Sequence, residues 1–227
     1  MAQENGETSS FTSENAPIVL PNNVTELVRV IQLKSVKENV QELKRVVNAL
    51  ELIASSESGS QSCIEAGATL ALVTLAAEKS VIENGDAAIN VALALKNIAE
   101  SDAGRQSCID AGAPLALTEL AKEKAVKENG TAASAVAYAL GNIAQSDAGL
   151  QSCIDAGAPL ALVTLLGEKS VKEDSFAANN VADALGNIAE SESGRQSCID
   201  AGAPLALTDL AKEKAVKENG KIGRAHV

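Results

Sequence analysis

The sequence predicts an all-helical solenoid, and two observations lead to that prediction. Four cysteines stand 45 residues apart, each in a nearly identical segment such as QSCIDAGAPLAL, so the chain is a tandem array. A repeat of this length is typical of solenoids, in which each unit buries its apolar face only against its neighbours. The composition is rich in good helix formers and almost free of aromatic residues, which favours helices that pack through small side chains.

One unit, residues 103–147, contains three predicted helices. The first is short, with Ser101 or Asp102 as its N-cap, and Gly112 is placed to end it in the left-handed conformation. Pro114 stands in the first turn of the second helix, where its missing N–H costs nothing. After a charged connector, a longer third helix follows. Its apolar residues recur with helical spacing: Ala133, Val136, Ala137, Leu140, Ile143 and Ala144.

The same template predicts one repeat domain over residues 22–220. Its segments are a partial unit without a first helix (22–57), three whole units (58–102, 103–147 and 148–192) and a truncated unit (193–220). Residues 1–21 are polar and outside the repeat, so they are expected to be disordered.

The last seven residues, KIGRAHV, break the repeat where a third helix should begin. A DNA sequence that would encode IGRAHV resembles the start of a widely used sequencing adapter. We therefore expect residues 221–227 to be a non-native tail and the chain to be a fragment of a longer array. The alternative is a natural short tail.

Charge and composition restrict the partners. A formal net charge of −11 opposes attraction to nucleic acid or to an anionic membrane, and it favours a basic partner. No apolar run has the length of a membrane span, and the first residues do not resemble a secretion signal. The sequence therefore predicts a cytoplasmic or nuclear protein. It leaves the oligomeric state open.

The four cysteines are predicted to be buried, unbonded residues of the first helices. Equivalent positions in stacked helices lie roughly 8–10 Å apart, whereas a disulfide requires Cα atoms within about 7 Å. A metal site would need clustered ligands, and the only histidine is His226 in the suspect tail. We therefore predict neither a metal nor a cofactor.

The repeats resemble those of the armadillo family over residues 22–220. The similarity is carried by IDAGAPLAL, at the junction of the first and second helices, and by ALKNIAE, ALGNIAQ and ALGNIAE at the ends of the third helices. The resemblance implies a right-handed α-solenoid of armadillo-like three-helix repeats with a period of 45 residues. In that family the third helices line a concave groove, and asparagines there hold an extended peptide.

Carried over residue by residue, the asparagine ladder is Asn97, Asn142 and Asn187, and Leu52 replaces it in the first unit. A carboxamide can pair with both the C=O and the N–H of an extended chain. The alternative is that each asparagine caps or solvates its own helix. The other expected groove residues lie on the same helix faces: Asn90, Glu100, Tyr138, Asn180, Asp183 and Glu190. Since neither Asn142 nor Asn187 is assigned to the core, replacing both by alanine is expected to weaken peptide binding and leave the helices intact.

Three function classes compete. The leading hypothesis is a scaffold that binds an extended, basic peptide along the groove. The alternative is a structural spacer or assembly array within a larger protein. An enzyme is the weakest hypothesis, because the only candidate imidazole base is His226 and no phosphate-binding glycine loop is present.

A nuclear-import adaptor is a further, minor alternative. Adaptors of that kind carry a tryptophan one turn before each groove asparagine. Here Leu93, Tyr138 and Asp183 occupy those positions. Without aromatic walls to hold lysine side chains, binding of classical import signals is disfavoured.

Overall fold

The computed structural model describes residue 20 and residues 23–213, and this part of the chain is helical throughout, without strands. The expected tails at 1–21 and 221–227 lie, residue 20 apart, outside the described residues, as do residues 214–220. The order of the helices repeats along the chain, and every unit uses the same local signals. The fold is an all-α solenoid, as the period of 45 residues predicts.

The helices fall into four classes by their place in the unit. First helices are α4 (Glu57–Glu65), α8 (Asp102–Asp110), α12 (Asp147–Asp155) and α16 (Glu192–Asp200). Second helices are α1 (Val24–Ile31), α5 (Ala68–Ala76), α9 (Ala113–Lys122), α13 (Ala158–Gly167) and α17 (203–213). Connector helices are α2 (Lys34–Glu38), α6 (Lys79–Ile82), α10 (Lys124–Lys127) and α14 (Lys169–Glu173). Third helices are α3 (Val40–Ala54), α7 (Gly85–Ile98), α11 (Gly130–Ile143) and α15 (Ser175–Ile188).

The helix ends follow the predicted signals. Of the two candidate N-caps of α8, Ser101 is the one used, and its hydroxyl accepts a hydrogen bond from the N–H of Gly104. Gly112 ends this first helix with φ at 79°, in the left-handed region that glycine adopts at least cost. Pro114 lies in the first turn of α9. The third helix α11 begins after Asn129, whose side chain accepts from the N–H of Ala132.

The connector before each third helix is more ordered than the sequence suggested. It folds into an additional short helix of four or five residues, as in α10. A valine in each connector helix is fully buried, and the four are Val36, Val81, Val126 and Val171. The apolar anchor holds the charged segment against the core, so a turn of helix forms there although its other residues are solvated.

The core lies between the stacked units, and the third helices contact one another more extensively than any other helices do. The six apolar residues predicted for α11 are all buried. Small residues permit close approach: a Cβ added at Gly141 would lie only 3.4 Å from the Cα of Ala184 in the next third helix. The third helices therefore pack through small side chains, as the scarcity of aromatic residues predicts.

All four cysteines are buried and free, which confirms the prediction. Burial raises the pKa of the Cys108 and Cys153 thiols to about 12 and that of Cys63 to about 11. Since the thiolate is the reactive form, these side chains act as small apolar residues.

Ion pairs join neighbouring units along the connector helices. Lys37 pairs with Glu78 at 2.7 Å, and the equivalent pairs are Lys127–Glu168 at 3.4 Å and Lys172–Glu213 at 3.1 Å. The fourth equivalent position is Ile82, which faces the same surface depression as Glu123. The series of pairs is therefore interrupted between the units 58–102 and 103–147.

Replacing Ile82 by lysine is expected to complete this series. Partly exposed pairs of this kind contribute about 0.2–1 kcal/mol, so a double-mutant cycle of Ile82→Lys and Glu123→Gln should give a favourable coupling energy in that range. Urea denaturation of the four proteins measures it. The coupling should shrink at high salt. A coupling of zero at low salt would mean that the two side chains do not pair.

Candidate functional site

The predicted groove residues lie on one face of the third helices, except Glu100 and Glu190, which follow the ends of α7 and α15 by two residues. Asn97 and Asn142 are nearly buried, with 9% and 6% of their surfaces exposed, and Asn187 is half-buried. Tyr138 is 40% exposed, and Asp183 and Glu190 are exposed. The helical spacing therefore brings polar and aromatic groups to the accessible face of the third-helix layer.

The ladder asparagines hold neighbouring units together, a role that the sequence analysis did not foresee. Each donates from Nδ2 to a backbone carbonyl 46 residues earlier, in the last turn of the preceding third helix. The three acceptors are Glu51 O at 3.0 Å from Asn97, Lys96 O at 3.2 Å from Asn142, and Gly141 O at 3.0 Å from Asn187.

These carbonyls need a partner because the last turn of a helix leaves its C=O groups unpaired. The N–H of Glu100 bonds to Asn97 O, not to Lys96 O. Asn142 therefore caps the neighbouring helix, not its own, and its burial places it in the core, contrary to the expectation. An alanine at this position would disturb the stacking as well as any peptide site.

A second row of amides behaves similarly. Asn90 donates from Nδ2 to Lys44 O at 3.3 Å, and Asn180 donates to the hydroxyl of Ser134 at 2.8 Å. Both side chains remain half-buried at the surface. Each of the five predicted asparagines thus donates one amide hydrogen to the preceding unit, four of them to a backbone carbonyl and Asn180 to a hydroxyl.

The predicted acidic residues divide into two groups. Glu100, two residues beyond the end of α7, is paired with Lys96 of that helix, so its charge is neutralised locally. Asp183 and Glu190 have no ion-pair partner within residues 23–213. Helices α11 and α15 contain no lysine or arginine. The unbalanced negative charge therefore lies at α15, not along the whole face.

Two aromatic side chains border the same depression. A cleft of about 500 Å³ lies across α11 and α15, lined among others by Tyr138, Asn142, Phe176, Asp183 and Asn187. Phe176 is 65% exposed, and the sequence analysis did not include it. Its spacing could have identified it, because Phe176 stands four residues before Asn180 on the same helix face. We refer to this depression as the α11–α15 cleft.

Lys96 is the second residue that the sequence analysis missed. Its ammonium lies 4.7 Å from the centroid of the Tyr138 ring and donates to Asn97 Oδ1 at 3.2 Å. A cation over an aromatic face is attracted by the ring quadrupole. The contact joins two units, since Lys96 belongs to α7 and Tyr138 to α11.

Residues 23–213 contain no group of three or more His, Cys, Asp or Glu side chains placed to hold a metal ion. Within the same residues no single helix combines the length and apolar character of a membrane crossing. One bent pair, Asp147–Asp155 with Ala158–Gly167, meets that test only when both helices are taken together.

The stacked helical units define the molecule as an α-solenoid repeat protein. Neither a protein-family profile nor a curated protein sequence matches the chain. Solved structures do. An engineered protein from the Northeast Structural Genomics Consortium is 31% identical, with a TM-score of 0.72, and the match covers 83% of this chain and 73% of that one.

Two designed armadillo repeat proteins are also similar. One, solved in complex with the peptide (KR)4, is 27% identical with a TM-score of 0.69, and the match covers 82% of this chain and 73% of that one. The other is 28% identical with a TM-score of 0.69, covering 82% and 74%. The chain belongs to the armadillo repeat family.

Proposed function

We propose that this chain binds an extended, basic peptide segment of a partner protein across the third helices α11 and α15. The observation that carries the proposal is the α11–α15 cleft, where Tyr138 and Phe176 lie beside two ladder asparagines and Asp183, whose carboxylate has no ion-pair partner within residues 23–213. Clefts that combine apolar surface with a few polar groups are the usual form of a binding site.

The ladder asparagines retain capacity for a ligand. Asn142 and Asn187 each use one amide hydrogen on the neighbouring helix. In the described residues their Oδ1 atoms accept no hydrogen bond, and neither atom is enclosed away from solvent. Each carboxamide therefore has one acceptor and one donor for the backbone of an extended chain, whatever its side chains.

Charge favours a basic ligand. The exposed carboxylates of Asp183 and Glu190 can attract lysine or arginine, whose aliphatic portions can lie against Phe176 and Tyr138. The formal net charge of −11 favours the same class of ligand and opposes nucleic acid. The armadillo relative in complex with (KR)4 supports the proposal. The cytoplasm or nucleus remains the proposed location.

Affinity should be modest and should increase with the number of units engaged. Each amide hydrogen bond contributes about 0.5–1.5 kcal/mol net, and each exposed charge pair less than about 1 kcal/mol. Association also costs translational and rotational freedom. A single unit is therefore insufficient, and two adjacent units with an aromatic cleft between them form the smallest plausible site.

The test is a titration of a fluorescently labelled (KR)4 octapeptide, followed by anisotropy. Asp183→Asn should weaken binding about twofold to fivefold, because one exposed charge pair is lost. Asp183 is chosen in place of the asparagines since it is exposed and holds no neighbouring helix. Added salt should weaken binding by the wild type more than by this variant.

Glu128→Gln is the matched control, because it also removes one exposed negative charge but lies beside a connector helix. It should bind like the wild type. Equal weakening by both variants would indicate attraction to net charge without a defined site. If the wild type retained neither (KR)4 nor an acidic octapeptide, the chain would be better explained as a structural spacer.

A further inference from the structure

Lys96 is the only lysine or arginine within the third helices α7, α11 and α15. Its ammonium is enclosed by the Glu100 carboxylate, the Asn97 amide oxygen at 3.2 Å and the Tyr138 ring at 4.7 Å. Only 15% of its side chain is exposed. Its backbone carbonyl accepts a hydrogen bond from Asn142, so residues of α11 contact both the backbone and the ammonium group of Lys96.

The three groups around this ammonium are those that a basic ligand would use. They are a carboxylate, a carboxamide oxygen and an aromatic face, and all three are in contact with the ammonium of Lys96. Asn97 also donates to Glu51 O, which leaves one amide hydrogen on a side chain that is only 9% exposed. In contrast, the amide oxygens of Asn142 and Asn187 are free within the described residues.

The equivalent positions in the neighbouring units carry different residues. Gly141 and Gly186 stand where α7 has Lys96, and in the first unit the position is Glu51. Burial raises the pKa of Glu51, while the positive charge of Lys96 acts in the opposite direction. The Glu51 carboxyl group therefore interacts electrostatically with Lys96 but forms no ion pair with it within the described residues.

We propose that Lys96 is a resident cation that occupies the Tyr138 face and closes the peptide site on the side of α7. This inference rests on the proposed function, because it assigns the extent of the same site. A ligand would then engage Asn142, Asn187 and the α11–α15 cleft, and a basic side chain of the ligand could reach the Lys96 side of Tyr138 only by displacing the ammonium.

Lys96→Met tests the proposal, because methionine matches the unbranched aliphatic part of lysine and removes the ammonium group. Lys124→Met is the matched control: it removes one positive charge from an exposed lysine of a connector helix. Tyr138 is the only tyrosine and the chain has no tryptophan, so intrinsic emission reports on this ring alone, also in complex with (KR)4.

In the free protein, Lys96→Met should change the tyrosine emission and Lys124→Met should leave it as in the wild type. With labelled (KR)4, Lys96→Met should bind about threefold to tenfold more tightly than Lys124→Met, because the vacated face and carboxylate become available. Lys96→Gln should act in the same direction. Circular dichroism establishes that each variant is folded.

The possible failures are distinguishable. If the wild type bound (KR)4 while Lys96→Met and Lys124→Met gave equal affinities, this inference would be wrong and the proposed function would stand. If neither the wild type nor Lys96→Met bound the peptide, both would be wrong. Unchanged tyrosine emission in folded Lys96→Met would contradict the resident contact itself.

Discussion

Replacing Gly149 by alanine is expected to lower the free energy of unfolding by about 3 kcal/mol, the upper end of typical overpacking. Gly149 stands in the first turn of α12, three residues after its N-cap Ser146. A Cβ built there would lie 1.9 Å from the carbonyl oxygen of Ile143, the last residue of α11. Because backbone atoms form the obstacle, no side-chain movement can relieve it.

Gly186→Ala is the matched control and should have the opposite effect. Gly186 lies within α15, and a Cβ added there meets nothing within 4 Å. Alanine should therefore stabilise the helix by up to about 1 kcal/mol. Urea denaturation of both variants provides the comparison. Similar small changes in the two proteins would mean that the turn between α11 and α12 is more open than the structure has it.

Asn142→Ala is expected to cost about 1–3 kcal/mol, because it leaves the carbonyl of Lys96 without a partner in a nearly buried place. The loss arises at the contact between α7 and α11, since the hydrogen bond joins these two helices. Urea denaturation measures the change in the free energy of unfolding of the whole protein. Amide hydrogen exchange should locate it at the end of α7 and in α11.

Asn179→Ala serves as the control for this substitution. Asn179 is an exposed residue of α15, and its side chain makes no hydrogen bond within the described residues. Alanine there should change stability by less than about 0.5 kcal/mol. If Asn142→Ala were as mild as Asn179→Ala, solvent would satisfy the Lys96 carbonyl and the asparagine would have no structural role.

Local signals in the sequence predict the elements of the unit well. Gly112 and Pro114 mark the junction of the first and second helices because each has a backbone preference that acts within a few residues. The spacing of apolar residues along the third helix likewise predicts which of its faces is buried, because the pattern recurs within a single helix. The connector helix α10 was not predicted. Val126 is its single buried residue, and a single apolar residue cannot show the periodic spacing that indicates a helix.

The site was predicted less completely, for a physical reason. The spacing places Asn142 on the correct face but does not show that it reaches the carbonyl of Lys96, 46 residues earlier. That contact depends on how far each unit is shifted along its neighbour. The pairing of Lys96 with Tyr138 depends on the same shift, and so does the joint cleft at Phe176.

The asparagine bonds described above span 46 residues, and the ion pair of Lys37 with Glu78 spans 41. Each therefore reaches one unit back and no further. Cooperative unfolding of distant units must then be transmitted through each interface between neighbouring units. The interface at Ile82 lacks the ion pair but has the contact of Lys96 with Tyr138. Displacement of Lys96 would therefore remove a contact that joins the units 58–102 and 103–147.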